Sequence, residues 1–119
     1  MKILASNTVF HVSDLEKSVQ FYTEILGFDL KFQYGSPPSY AGLCFGEAHL
    51  HLSCSYPYKN NTGHGNLYLI GDEVESIYSR CVEQGVDFYS HIEQRDYGLV
   101  DFAIKDPDGN QIGYGAQAP

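Results

Sequence analysis

The chain has 119 residues, of which 43% are hydrophobic, so it can form one domain with an ordinary core and does not have the composition of a disordered protein. Its 15 acidic and 7 basic residues give a formal net charge of −8, which argues against nucleic acid and anionic membranes as partners. A neutral or cationic small molecule suits this charge better.

The cysteine pattern and the first residues predict a cytoplasmic protein. Cys44, Cys54 and Cys81 are odd in number, widely spaced and without a Cys-x-x-Cys pair, so we expect reduced thiols. Residues 1–12 are too short and too polar for a signal peptide, and no window is apolar enough to span a bilayer.

The first half of the chain predicts one helix among four strands. Apolar residues recur at helical spacing over residues 14–27, with Ser13 or Asp14 as the N-cap and Gly27 as the stop. Strands are predicted at residues 8–12 before this helix and at residues 28–34, 40–45 and 48–53 after it.

The second half repeats this order of elements. A helix over residues 72–85 has the same spacing between its first Asp and its final Gly as the first helix. Strands are predicted at residues 66–70 before it and at residues 87–91, 99–104 and 111–114 after it. We therefore predict a single α+β domain of two paired βαβββ modules, about residues 1–55 and 64–116, that form a curved sheet around a cavity. Residues 56–65 have the turn-forming composition of a linker.

Residues 102–114 predict a β-hairpin near the C-terminus. Two apolar runs flank a turn in which Pro107 presets φ and Gly109 supplies the left-handed position.

Several segments together resemble the vicinal oxygen chelate superfamily, which includes glyoxalase I, the extradiol dioxygenases and the bleomycin resistance proteins. They are residues 12–22 (VSDLEKSVQFY), Leu26-Gly27-Phe28, Tyr97-Gly98 and residues 106–110 (DPDGN). The resemblance covers nearly the whole chain and implies the paired-module fold. It also implies a homodimer, since small members commonly exchange or pair modules between subunits. It does not specify an activity, because the fold serves isomerases, lyases, dioxygenases, epimerases and ligand-sequestering proteins.

Enzymes of this superfamily usually bind a divalent metal, so a metal cofactor of this chain would be Zn, Ni, Fe or Mn. The resemblance places the four ligand positions near Asn7, His51, Asn66 and Gly113. His51 alone is a strong ligand there, because Asn binds transition metals poorly and Gly has no side chain. We therefore expect no metal cofactor. The alternative is a shifted site in which His51 joins His49, His11 or His64, since His49 and His51 lie on one face of their strand.

Aromatic side chains are the other candidate ligand contacts, because a Tyr ring can stack on a ligand and offer a hydroxyl. The loop or inward-facing candidates are Tyr34, Tyr40, Tyr56, Tyr58, Tyr68 and Tyr97. Tyr97 stands out because the resemblance places an aromatic-Gly pair beside the pocket. Glu93 and Asp101 are candidates for a general base or for a counter-charge to a cationic ligand.

These observations predict a protein that sequesters an amphipathic ligand without a metal. The predicted ligand-binding residues are Asn7, His11, His49, His51, Asn66, Tyr68, Tyr97 and Asp101. We predict no catalytic residues for this function. One alternative is a metal-dependent, glyoxalase-like lyase or isomerase with the shifted histidine site. Another is a structural or partner-binding module without a ligand.

Overall fold

The computed structural model describes residues 1–55 and 61–119 and has two successive βαβββ modules. The first contains β1 (Thr8–His11), α1 (Leu15–Gln20), a π-helical segment (Phe21–Ile25), β2 (Asp29–Tyr34), β3 (Tyr40–Phe45) and β4 (Ala48–Ser53). The second contains β5 (Asn66–Gly71), α2 (Val74–Glu83), β6 (Phe88–Gln94), β7 (Leu99–Lys105) and β8 (Gln111–Gln117). Half of the predicted linker, including Tyr56 and Tyr58, lies outside the described residues.

Each module forms a four-stranded mixed sheet, which confirms the predicted α+β class. The strand orders are β1-β4-β3-β2 and β5-β8-β7-β6. In both sheets the first strand pairs in parallel with the last, while the other neighbours are antiparallel. The sheets are curved, and among the described residues they remain two separate sheets.

The first predicted helix is not α-helical throughout residues 14–27. Of the two predicted N-caps, Ser13 and Asp14, the structure has Asp14, whose carboxylate accepts from the Lys17 N–H at 3.1 Å. Beyond Gln20 the hydrogen bonding widens, and the Leu26 N–H donates to the Phe21 carbonyl, five residues back. The predicted continuous α-helix is therefore wrong in its second half.

The second helix is also shorter than residues 72–85, and the last strands of the second sheet are longer than predicted. Helix α2 starts after Glu73, whose side chain makes no cap hydrogen bond with the part of the chain that the structure describes. Strand β8 continues to Gln117 because β7 supplies a partner as far as Leu99. Strand β6 reaches Gln94, and the next N–H, that of Arg95, donates to the Leu99 carbonyl.

One face of each sheet packs against the helices to form the core. Phe10, Leu50 and Leu52 of the first sheet and Phe102 and Ile112 of the second are nearly fully buried in one cluster. Because side chains alternate along a strand, the neighbouring positions point to the opposite face. Large side chains are exposed on this opposite face of each sheet and, for Tyr97, in the loop between β6 and β7. They are Val9, Phe32, Tyr34, Tyr68, Ile70 and Tyr97.

The predicted β7–β8 turn ties the two modules together. Asp106 is buried, and its carboxylate accepts from the Tyr22 hydroxyl at 2.8 Å and from the Asn110 amide at 2.9 Å. Asn110 in turn accepts from the Gly65 N–H at 2.7 Å, and Asp108 accepts from Ser13 of the first module. The side chains of this turn therefore bind the N-terminal module, beyond shaping their own hairpin.

The helices among the described residues are all too short or too polar to cross a membrane.

Candidate ligand-binding faces

The candidate site consists of the two sheet faces that point away from the helices. We call the surface around Phe32, Tyr40 and His51 the first face. We call the surface around Tyr68, Tyr97, Asp101, Gly113 and Gly115 the second face. Residues 1–55 and 61–119 leave both faces uncovered, as the exposed Phe32 and Tyr68 side chains indicate.

Three rings pack together on the first face. The Tyr40 hydroxyl lies 2.8 Å from Nδ1 of His51, and the edge of the Phe32 ring meets His51 at a centroid distance of 5.5 Å. Phe32 covers Gly42, where a β-carbon would collide with the ring. The first face is therefore an aromatic surface with one imidazole held in a fixed orientation.

The electrostatics of the first face keep His51 neutral at neutral pH. Burial lowers the pKa of His51 below its ordinary value, and the nearby His49 lowers that pKa further. A neutral imidazole has one N–H donor and one acceptor nitrogen. His51 can therefore hydrogen-bond a ligand or bind a metal ion without first losing a proton.

Asp101 organises the second face. It lies on β7, is 5% exposed, and accepts from the Tyr68 hydroxyl at 2.7 Å and from Nε of Arg95 at 2.7 Å. The Tyr97 hydroxyl donates to the same carboxylate oxygen as Tyr68. Burial by itself raises the pKa of Asp101, but the hydrogen bonds from Tyr97, Arg95 and Tyr68 outweigh burial and lower it.

The phenols of this network stay protonated. Burial, and then the bond to Asp101, raise the pKa of Tyr68 well above its ordinary value. The bond to Asp101 is the main cause that raises the pKa of Tyr97. Both hydroxyls therefore remain donors to Asp101 across the pH range in which proteins are handled.

The Tyr68 side chain packs directly against Gly113 and Gly115. Tyr68 pairs with Gly113 in the parallel register of β5 and β8, and a β-carbon at Gly113 would lie 2.6 Å from the ring. A β-carbon at Gly115 would collide with the Tyr68 hydroxyl. Gly113, which stands where the resemblance places a metal ligand, thus makes room for an aromatic ring.

The other predicted site residues are dispersed. Asn7 is exposed just before β1, Asn66 is exposed at the start of β5, and His64 is exposed before β5. His11 is half-buried on β1, and His49 is exposed on β4. Among the described residues, no group of three His, Cys, Asp or Glu side chains is placed to hold a metal ion.

A cleft adjoins the second face. It has a volume of about 840 Å³ and lies between the β3–β4 turn and the region where β5 leads into α2. Tyr68 and Gly115 belong to both the cleft and the second face, and Ile70 and Arg80 also line the cleft. A ligand on the second face therefore has space to extend toward the first module.

Sequence reasoning missed three contributors to these faces: Arg95, Phe32 and Gly115. Arg95 could have been predicted, because it is the one basic residue between Glu93 and Asp101 in the sequence. Its guanidinium forms salt bridges with Glu93 at 2.6 Å and with Asp101 at 2.7 Å. The roles of Phe32 and Gly115 depend on the register between neighbouring strands, which the sequence does not give.

Two successive βαβββ modules, each with a four-stranded mixed sheet, place the chain in the α+β class. Within that class, the chain belongs to the Glyoxalase/Bleomycin resistance protein/Dioxygenase superfamily, whose family model matches residues 6–114. A search of curated proteins finds no match.

Solved structures of similar proteins include binding proteins and an enzyme. TnmS3, an antibiotic binding protein from Streptomyces sp. CB03234, is 27% identical, with 98% of each chain covered and a TM-score of 0.84. The bleomycin-binding protein of Streptomyces verticillus, in complex with copper(II)-bleomycin, is 21% identical, with 99% of each chain covered and a TM-score of 0.74. Lactoylglutathione lyase from Agrobacterium tumefaciens is 20% identical, with 95% of this chain and 92% of that chain covered and a TM-score of 0.77.

Proposed function

We propose that this protein binds and sequesters an amphipathic, aromatic small molecule without a metal ion. The observation that carries the proposal is the pair of exposed faces on which aromatic rings are fixed by hydrogen bonds, Tyr40 to His51 and Tyr68 and Tyr97 to Asp101. Rings that are already oriented bind a ligand at a small cost in side-chain entropy. Asn7, His11, His49 and Asn66 are the further proposed ligand contacts, near the ends of the same strands.

The proposed assembly is a homodimer in which the first face of one chain lies opposite the second face of its partner. Phe32 and Tyr34 are exposed on the first sheet, and Tyr68 and Ile70 are exposed on the second. Clusters of exposed apolar side chains of this kind mark interaction surfaces, which supports pairing of the two faces between subunits. Two such interfaces enclose two cavities, each with walls of aromatic rings. We also propose that the single domain of residues 1–119 works in the cytoplasm, where its three free thiols remain reduced.

The similar proteins support ligand binding as the function. TnmS3 is an antibiotic binding protein and shares 27% of its residues with this chain. The Streptomyces verticillus protein, at 21% identity, adds only that a chain of this fold accommodates a large ligand, copper(II)-bleomycin.

Calorimetric titration of chelator-treated protein tests the proposal. The ligands are two aromatic antibiotics, metal-free bleomycin and daunorubicin, each recovered afterwards for mass analysis. We expect at least one to bind, to raise the melting temperature and to be recovered unchanged. Tyr68→Ala removes a ring of the second face and should weaken binding at least about tenfold. Tyr89→Ala, which removes another exposed Tyr ring, serves as the matched control.

The runner-up function makes the opposite predictions. A glyoxalase-like lyase or isomerase would be stabilised by Zn, Ni, Fe or Mn and would turn over the hemithioacetal of methylglyoxal and glutathione. Its supporting observation is that His49 and His51 lie on the same face of β4, close enough for His49 to affect the pKa of His51. Metal-dependent turnover that His51→Ala abolishes would replace sequestration as the function.

A further inference from the structure

The hydrogen bonds on the second face fix which groups a ligand meets there. Tyr68 and Tyr97 both donate their hydroxyl proton to Oδ2 of Asp101. A phenol has one proton, so each oxygen presents only lone pairs to anything else that approaches. Both phenols are therefore hydrogen-bond acceptors toward a ligand, although a free Tyr could act in either role.

The charges around these phenols are negative overall. The guanidinium of Arg95 is occupied by Asp101 through Nε and by Glu93 through Nη1, and Nη2 donates to the carbonyls of His91 and Asp101. Two carboxylates thus surround one guanidinium. Asp96, next to Tyr97, adds a further negative charge that acts on the Tyr97 hydroxyl. The field at the second face therefore favours a cation.

The rings remain accessible although their hydroxyls are fixed. Tyr68 is 45% exposed and Tyr97 is 62% exposed. Tyr68 rests on Gly113 and Gly115, so its hydroxyl and one side of its ring cannot shift inward. The outer surface of such a ring carries the negative end of its quadrupole, which attracts a cation.

We propose that the Tyr68–Tyr97 pair is a subsite for a protonated amine or a similar organic cation on an aromatic ligand. The inference rests on the proposed function and names the ligand class that this face selects. The ammonium donates to the two phenol oxygens and lies against the rings, while the aromatic body of the ligand extends toward the adjoining cleft. A carboxylate or phosphate at the same place meets lone pairs and an excess of negative charge.

Three indole probes of matched size test the inference: tryptamine, tryptophol and indole-3-acetate, which are cationic, neutral and anionic at pH 7. The protein has no Trp, so indole fluorescence excited near 295 nm reports each probe alone. We expect tryptamine to bind about tenfold more tightly than tryptophol, and indole-3-acetate to bind most weakly.

Variants that keep the rings locate the effect. Tyr97→Phe and Tyr68→Phe retain the stacking surface but lose the acceptor oxygens, so each should reduce the preference for tryptamine over tryptophol severalfold. The Lys105 ammonium lies 5.8 Å from the centre of the Tyr89 ring, so Tyr89→Phe removes a hydroxyl outside the Asp101 network and should leave the preference unchanged. Circular dichroism confirms that each variant is folded.

The outcomes separate this inference from the proposed function. If tryptophol or indole-3-acetate binds as tightly as tryptamine, or if Tyr89→Phe lowers the preference as much as Tyr97→Phe, the cation subsite is wrong and aromatic binding stands. If none of the three probes binds while daunorubicin or bleomycin does, the cation subsite is also wrong. If no aromatic compound binds at all, both fail.

Discussion

Gly115→Ala tests the placement of Tyr68 most selectively. The new methyl group would occupy the position of the Tyr68 hydroxyl, and the backbone at Gly115 is not in a conformation that only glycine adopts. The ring must therefore swing away and lose its bond to Asp101. A hydrogen bond to a charged group contributes about 1.5–3 kcal/mol to stability. Replacing Gly by Ala stabilises the protein by about 0.4–1 kcal/mol, because it lowers the conformational entropy of the unfolded chain. We expect a net loss of about 1–2 kcal/mol in the free energy of unfolding.

Urea unfolding followed by circular dichroism, at one protomer concentration throughout, measures this change. Gly71→Ala is the matched control, because none of the residues that the structure describes lies within 4 Å of a β-carbon there. This substitution should be neutral or slightly stabilising. In a Tyr68→Ala background Gly115→Ala should cost nothing, since the colliding ring is gone. Equal stability of Gly115→Ala and Gly71→Ala in the otherwise unchanged protein would refute the packing of Tyr68 on Gly115.

Three further predictions concern the turn, pH and metals. Tyr22→Phe removes a buried bond to Asp106 and should lower the free energy of unfolding by about 1.5–3 kcal/mol. Tyr114→Phe should change it little, because the Tyr114 hydroxyl has no partner among the described residues; similar losses in both would contradict this role of Asp106. The pKa of Asp101 lies below its ordinary 3.8, so the unfolded chain binds more protons there. The stability that the ionised Asp101 contributes is present above about pH 4 and is lost as the pH falls through the lowered pKa. Urea unfolding between pH 5 and pH 2 should therefore show a smaller decline in the free energy of unfolding for Asp101→Asn than for the unchanged protein. An equal decline in both would contradict this role of Asp101. Treatment with a chelator should leave the affinity for the antibiotic, measured by calorimetry, unchanged. A loss of affinity that Zn or Ni restores would contradict metal-free binding.

The local elements were predictable because their signals are local. Strands β3 and β4 have the predicted bounds, residues 40–45 and 48–53, since alternation and the Gly46 turn are both visible in the sequence. For the same reason the helix is capped by Asp14, one of the two predicted caps, and Gly27, the predicted stop, has a positive φ. The repeat of helix spacing was enough to predict two modules.

The composition of the site was predictable only in part, because it depends on pairing between distant strands. Tyr68 and Gly113 are paired, but 45 positions separate them in the chain. From the sequence, Gly113 could be interpreted only as a ligand position without a side chain. Its packing against the Tyr68 ring depends on strand pairing and could not be predicted. Tyr97 and Asp101 were chosen as separate candidates, and the structure joins them through one carboxylate oxygen. The π-helical segment was missed because its residues have the same apolar spacing as an α-helix.

Native mass spectrometry of the chelator-treated protein with daunorubicin and metal-free bleomycin tests metal-free sequestration most directly. It reports the subunit count, the number of bound molecules and the mass of each ligand in one spectrum. We predict a dimer that carries up to two copies of at least one antibiotic, released with its mass unchanged. Binding that appears only after a divalent metal is added, release of a ligand with an altered mass, or failure of both antibiotics to bind would contradict the account.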